Sequence, residues 1–324
     1  MTKPAVSTLP AVMICGHGSR DPDAVVEFNQ MVALLRACLP GRALASGFLE
    51  FARPTIGEGF EQLAAAGARS IMALPAMLFA ASHVKNDLPW EVNSFHATHP
   101  DIAVTFGRDL SVEPKLLRAA AARIETAEAA STHKVARADT LLLVVGRGTN
   151  DPDANSNVAK LARMLWEGMG FGWADAAFSG VAAPLVDAAL ERVVRLGFAR
   201  IIVFPYFLFT GILVKRIHAW TDAAAVRHPG VEFLKAPYLS HHPLVIETFL
   251  DRLAEAEQGS PAMNCQFCKY REQLVGYEAE VGAQQAGHHH HVRGIGTDAD
   301  HEHDHDHDHD HDHGDGHHHH HHHK

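Results

Sequence analysis

The chain has 324 residues, 47% of them hydrophobic, and a net charge of −10. Residues 288–324 hold nine acidic and two basic residues, so the rest of the chain is close to neutral, which excludes the basic signature of a nucleic-acid binder. No apolar run reaches the roughly 20 residues of a membrane span, no secretory leader is visible, and four cysteines are too few for a disulfide framework, so a reducing cytoplasm is expected.

Taken in order, AVMIC (11–15) is a short apolar run ending at a glycine, as a buried parallel strand should be. Asp21-Pro22 then reads as a helix start, with apolar residues at helical spacing from Val25 to Leu39. ALASGFL (43–49) is a second strand, and Pro54-Thr55 opens a helix that stops near Gly67. SIMALP (70–75) is a third strand. A loop, a helix near 86–98, a strand at 102–106 and a helix near 112–128 complete the unit. The same order returns with the strands TLLLVV, DAAFSG, RIIVFP and VEFLKA.

The return is a tandem repeat at an offset of 130 residues. Gly16 and Gly18 fall on Gly146 and Gly148, Asp21-Pro22-Asp23 on Asp151-Pro152-Asp153, Pro54 on Pro184, and Val84-Lys85 on Val214-Lys215. A period this long means two whole domains. The expected organisation is α/β: a domain over 10–128, a linker at 129–138, and a second domain over 139–255. Each is a Rossmann-like parallel sheet flanked by helices. A cysteine-bearing segment (256–287) follows, then a disordered His/Asp-rich tail (288–324) with 18 of the 27 histidines.

In an open parallel sheet, functional groups gather at the carboxyl ends of the strands. His17, Glu50 and His83 follow the first three strands, and their counterparts are Arg147, Gly180 and Leu213. Duplication has kept the glycines and prolines in both copies and three converging ionisable groups in one. Two imidazoles and a carboxylate suit a borderline divalent metal such as cobalt, nickel, zinc or iron, and also proton transfer near neutral pH. Ser19 lies outside any nucleophile-elbow pattern. GHGSRD puts Asp21 where a dinucleotide loop needs its third glycine.

These residues resemble a known family. GHGSRD after a strand, FLE followed by Pro54, and the Pro-x7-His loop from Pro75 to His83 are similar to the sirohydrochlorin cobaltochelatases of the CbiX type, in the long form with two fused chelatase-like halves. The resemblance covers about residues 10–255. It implies insertion of Co2+ into sirohydrochlorin in cobalamin synthesis, with Co2+ as substrate metal and His17 and His83 as the catalytic, metal-binding histidines. Glu50 is the candidate for a further ligand or proton acceptor. The substrate carries several carboxylates, for which Arg20, Arg53 and Lys85 are the candidate cations. The cleft between the halves is the natural place for a large flat ligand, which Arg147 and Lys215 could approach from the second half.

Met263-Asn264-Cys265-Gln266-Phe267-Cys268 resembles the M-x-C-x-x-C motif of long-form members, which implies an iron–sulfur cluster on Cys265 and Cys268. Two thiolates leave a cluster short of ligands, so a zinc site shared with tail histidines or a redox pair are alternatives. The HDHDHDHDHDH run suits binding of Co2+ or Ni2+. A purification tag would account for the histidines at 317–323 alone. The expected partners are sirohydrochlorin and divalent metal ions, with no nucleic acid, no membrane and a homo-oligomer left open. Ferrochelatase or nickel chelatase activity is the alternative within the class. A metal storage or delivery protein acting through the tail is the alternative outside it.

Overall fold

The computed structural model describes residues 9–259. Cys265, Cys268 and the histidine-rich segment, with the expectations attached to them, lie outside the described residues. Among those described, no helix is long and apolar enough to cross a membrane.

The first half runs β1 (Ala11–Gly16), α1 (Pro22–Cys38), β2 (Leu44–Phe48), α2 (Ile56–Ala65), β3 (Ser70–Pro75), α3 (Leu88–Thr98), β4 (Ala103–Phe106) and α4 (Pro114–Ala130). The second runs β5 (Thr140–Gly146), α5 (Pro152–Met169), β6 (Trp173–Phe178), α6 (Val186–Val194), β7 (Arg200–Pro205), α7 (Ile212–Arg227), β8 (Glu232–Lys235) and α8 (Pro243–Glu257). Each half is a parallel sheet, ordered β2-β1-β3-β4 in the first and β6-β5-β7-β8 in the second. Both helix starts read from the Asp-Pro-Asp repeats are present. Asp21 and Asp151 are N-caps, each carboxylate accepting from the backbone of the Asp two residues on, at 3.1 and 3.0 Å. Thr55 opens α2 in a capping box with Glu58.

The inner strands β1, β3, β5 and β7 are mostly apolar because both faces of each sheet are covered, while the edge strands β6 and β8 carry Asp175, Glu232 and Lys235. Val12 and Ile14 of β1 face one core, Met13 and Cys15 another; Leu142 and Val144 of β5 face the first core, Leu141, Leu143 and Val145 a third. The shared core lies between the sheets and is filled by α1, α4, α5 and α8. Helices α2 and α3 cover the outer face of the first sheet, α6 and α7 that of the second.

Two features depart from the sequence reading. The segment around His83 is a π-helical turn over His83–Asp87 that runs into α3, with the Leu88 N–H donating to the His83 carbonyl five residues back. The last helices of the halves are also exchanged: α8 packs on β3, while α4 packs on β7 and β8. Polar contacts follow the exchange. Arg108 binds Glu255 bidentately at 2.9 and 3.1 Å, Arg252 reaches Glu113 at 2.9 Å, and Arg123 donates to the Leu239 carbonyl at 2.8 Å.

Candidate metal centre

The site is assembled where the loops after β1 and β2 cross. Gly18 has φ +94, and a Cβ there would lie 1.7 Å from the Glu50 carbonyl oxygen. Gly148 in the second half has φ +85 and would meet the Gly180 carbonyl at 1.9 Å. Only glycine can stand at such a crossing. Backbone bonds from Leu49 to Gly16 and from Glu50 to His17, both 2.9 Å, sew the two loops together. Phe51 and its counterpart Val181 hold φ of 60 and 64 without being glycine, so the loop shape belongs to the repeat and is kept at a cost in both copies.

On this frame His17, Glu50 and His83 converge: their ligand atoms all lie within 4.8 Å of one another, and among the described residues no other group of three or more His, Cys, Asp and Glu does so. The two imidazoles meet edge to face, with centroids 4.7 Å apart at 86°. Each ring has one nitrogen committed. His17 Nδ1 donates to the Gly18 carbonyl at 3.0 Å, and His83 Nδ1 donates to the Asp87 carboxylate at 2.7 Å. A carbonyl can only accept, so His17 carries its proton on Nδ1 and presents the Nε2 lone pair. That Nε2 is buried and has no hydrogen-bond partner. Burial first, then His83 and then Arg147, push His17 down to about 4, so its ring stays neutral, the form that ligates a metal.

Behind the three converging donors stands a layer that the sequence reading missed. Asp87 is buried; its other oxygen accepts from Asn86 at 3.1 Å. One turn further, Glu91 is pushed up to about 7 by burial and then by the Asp87 charge. The His83-Asp87-Glu91 spacing of four residues is visible in the sequence, but it means a single face only once the segment is known to be helical.

His17 and His83 open on a cavity of about 660 Å³ between the halves, walled by both copies of the same loops: 17–20 with 146–149, and 76–84 with 206–214. Met77, Phe79, Phe207, Leu208 and Phe209 make its walls apolar, and the permanently charged side chains in its lining are Arg20 and Arg147. Arg20 sits over the Phe51 ring at 4.9 Å. Arg53 is outside the lining, in an exposed pair with Glu58 at 2.8 Å. The expectation for Lys85 is corrected. Its side chain is 1% exposed and its ammonium pairs with Asp151 at 2.6 Å and Asp153 at 3.2 Å, so it cannot meet a substrate carboxylate. Lys215 makes the reciprocal pair with Asp21 and Asp23, at 2.7 and 2.8 Å. The Asp-Pro-Asp and Val-Lys repeats are therefore two halves of one cross-domain contact made twice.

The comparisons agree with this architecture. The chain is 34% identical over 264 residues to a sirohydrochlorin cobaltochelatase of Priestia megaterium, covering 81% of this chain and 85% of that one. It is 29% identical to a sirohydrochlorin ferrochelatase of the same organism over 73% and 86% of the two chains. A crystal structure of the sirohydrochlorin chelatase SirB from Bacillus subtilis subspecies spizizenii in complex with cobalt superposes with a TM-score of 0.65 at 26% identity, covering 77% of this chain and 96% of that one. The CbiX family model matches twice, at residues 11–127 and 141–256, one match on each half, and the chain belongs to the CbiX family.

Proposed function

We propose that the chain, a tetrapyrrole metal chelatase, inserts Co2+ into sirohydrochlorin. The observation that carries this reading is the position of the donor set: His17 and His83, with Glu50 beside them, stand at one wall of a largely apolar cavity between two halves, only one of which has the donors. Two neutral imidazoles and a carboxylate can take a hydrated divalent ion, shed part of its water shell and present it to one face of a macrocycle. The apolar loops of both halves would cover the ring, while Arg20 and Arg147 meet its carboxylates. Insertion releases two pyrrole protons. Glu50, which is only partly buried, can take them one after the other and pass each to solvent, and the hydrogen bond from His83 to Asp87 keeps the His83 lone pair aimed at the ion.

The donor set also accepts iron, and the resemblance to a ferrochelatase favours Fe2+ as the second reading. The similarity to the cobaltochelatase, greater in identity and length, favours cobalt. The deciding experiment is anaerobic metallation of sirohydrochlorin followed by absorbance, with free Co2+, Fe2+ or Ni2+ fixed by a metal buffer and an enzyme-free blank for each. Cobalt should show the largest acceleration, and a larger one with Fe2+ would make the protein a ferrochelatase. His17→Ala should reduce insertion about 100-fold or more while the chain still folds, since a loop ligand carries little core packing. An active His17→Ala variant would remove the triad from the reaction.

A further inference from the structure

The two cross-domain lysine contacts occupy matching places in the repeat and differ in one respect. Lys215 is 54% exposed and sits in a regular helix, where Gly211 has already supplied an ordinary four-residue backbone bond at 3.0 Å. Lys85 begins in the same way, bonding the Ala81 carbonyl at 2.9 Å. The helix then widens into the π turn, and the lysine is 1% exposed. The half with the metal ligands thus has the widened turn and the buried lysine together, and the half without them has neither.

The widened turn is what carries His83. It starts at His83 and ends at Asp87, the carboxylate that fixes the His83 ring. π turns are rare and are held where a function needs the extra residue. Something must hold this one in register, and Lys85 lies inside it. Its ammonium is gripped by Asp151, itself fixed as the N-cap of α5 by its own bond to the Asp153 backbone. Asp151 follows the loop 146–149 that supplies Arg147 to the cavity wall.

We infer that the Lys85–Asp151 pair is a positioning device for the metal ligand His83, through which the half that has no metal site fixes the geometry of the half that has one. The inference rests on the reading of His17, Glu50 and His83 as the metal site. Lys85 is a positioning residue; it touches neither metal nor macrocycle.

The test uses the full chain and insertion kinetics with free Co2+ set by a metal buffer. Lys85→Met should raise the KM for Co2+ about ten- to a hundred-fold, the usual consequence of loosening a ligand's support, and leave the KM for sirohydrochlorin unchanged. A merely structural role would lower stability without separating the two constants. Because Lys85→Met strands a buried carboxylate, Lys85→Met/Asp151→Asn is made beside it; Asn still caps α5, and no buried charge is left at position 151. A folded variant with an unchanged KM for Co2+ overturns the inference. Hydrogen exchange on the unmodified chain tests it without any substitution. The amides of 83–87 and of 151–155 should open together, and independent, easier opening of 83–87 overturns it. If the unmodified chain accelerates insertion of no metal, the chelatase reading fails, and the exchange comparison still decides whether the pair pins the turn.

Discussion

Glu91 shows how a side chain absent from the ligand list can still be tested through its charge. Burial beside Asp87 holds it up at about 7, so at neutral pH a large fraction of native molecules keep the proton. The unfolded chain releases that proton in the ordinary carboxylate range. Between that range and about 7 the native state binds more protons, so this group's contribution to stability falls as pH rises through the window. His17 works in the opposite sense: held down to about 4, it resists a proton that the unfolded chain accepts, so stability falls as pH drops below the ordinary imidazole value. Glu91→Gln should therefore gain stability relative to the parent at about pH 8 and gain little at about pH 5. Urea midpoints at the two values measure it, and an equal change at both would show Glu91 ionised throughout. Gly18 and Gly148 allow a second comparison. Alanine at either position drives a Cβ into a carbonyl oxygen and forces a positive φ, and each variant should lose about 2 kcal/mol or more. Gly18→Ala should in addition weaken metal insertion, because the carbonyl it displaces belongs to Glu50; thermal unfolding and the insertion assay together separate the two effects.

At the scale of elements, much of the fold is legible in the sequence. The apolar strand runs, the Asp-Pro helix starts and the 130-residue period identify the strands and the paired sheets, with ends shifted by a residue or two as at β6. The gathering of His17, Glu50 and His83 is readable too, because the rule that loops at strand ends converge needs no coordinates. Three things were not readable. An amphipathic stripe tells that α4 and α8 have a buried face, but not which sheet it covers, so their exchange leaves no mark. The π turn differs from an α turn only in hydrogen-bond register. Lys85 reads as a surface cation because its partners are 66 and 68 residues away. The exchange has a measurable consequence. Arg252 is 2% exposed and ties α8 to Glu113 of the first half, and α8 fills the core on which β3 rests. Neither half can then unfold without stripping a helix from the other, and calorimetry should show one cooperative transition with calorimetric and van't Hoff enthalpies in agreement. Two resolved transitions would mean that the halves are independent.

For the whole molecule, duplication has divided labour: one copy holds the donor set of His17, Glu50 and His83, while the other supplies Arg147 and the carboxylates that grip Lys85. The histidine-rich segment 288–324 adds a third part, read from composition alone. Its 18 histidines and nine acidic residues are of the kinds that would bind Co2+ or Ni2+ with low specificity. Tethered to the chelatase by chain, such a store would face the site at an effective concentration set by linker length. It would take no part in the chemical step. Deleting 288–324 should accordingly leave the insertion rate unchanged when free Co2+ is fixed by a metal buffer. The difference should emerge when the protein is loaded with Co2+, freed of unbound metal by gel filtration and then given excess sirohydrochlorin. The full chain should metallate several equivalents of substrate and the shortened chain no more than about one, the single site of the triad. Equal yields from both would make the tail a sink that holds metal away from the site, and a lower rate for the shortened chain in buffered metal would place the tail in the reaction itself.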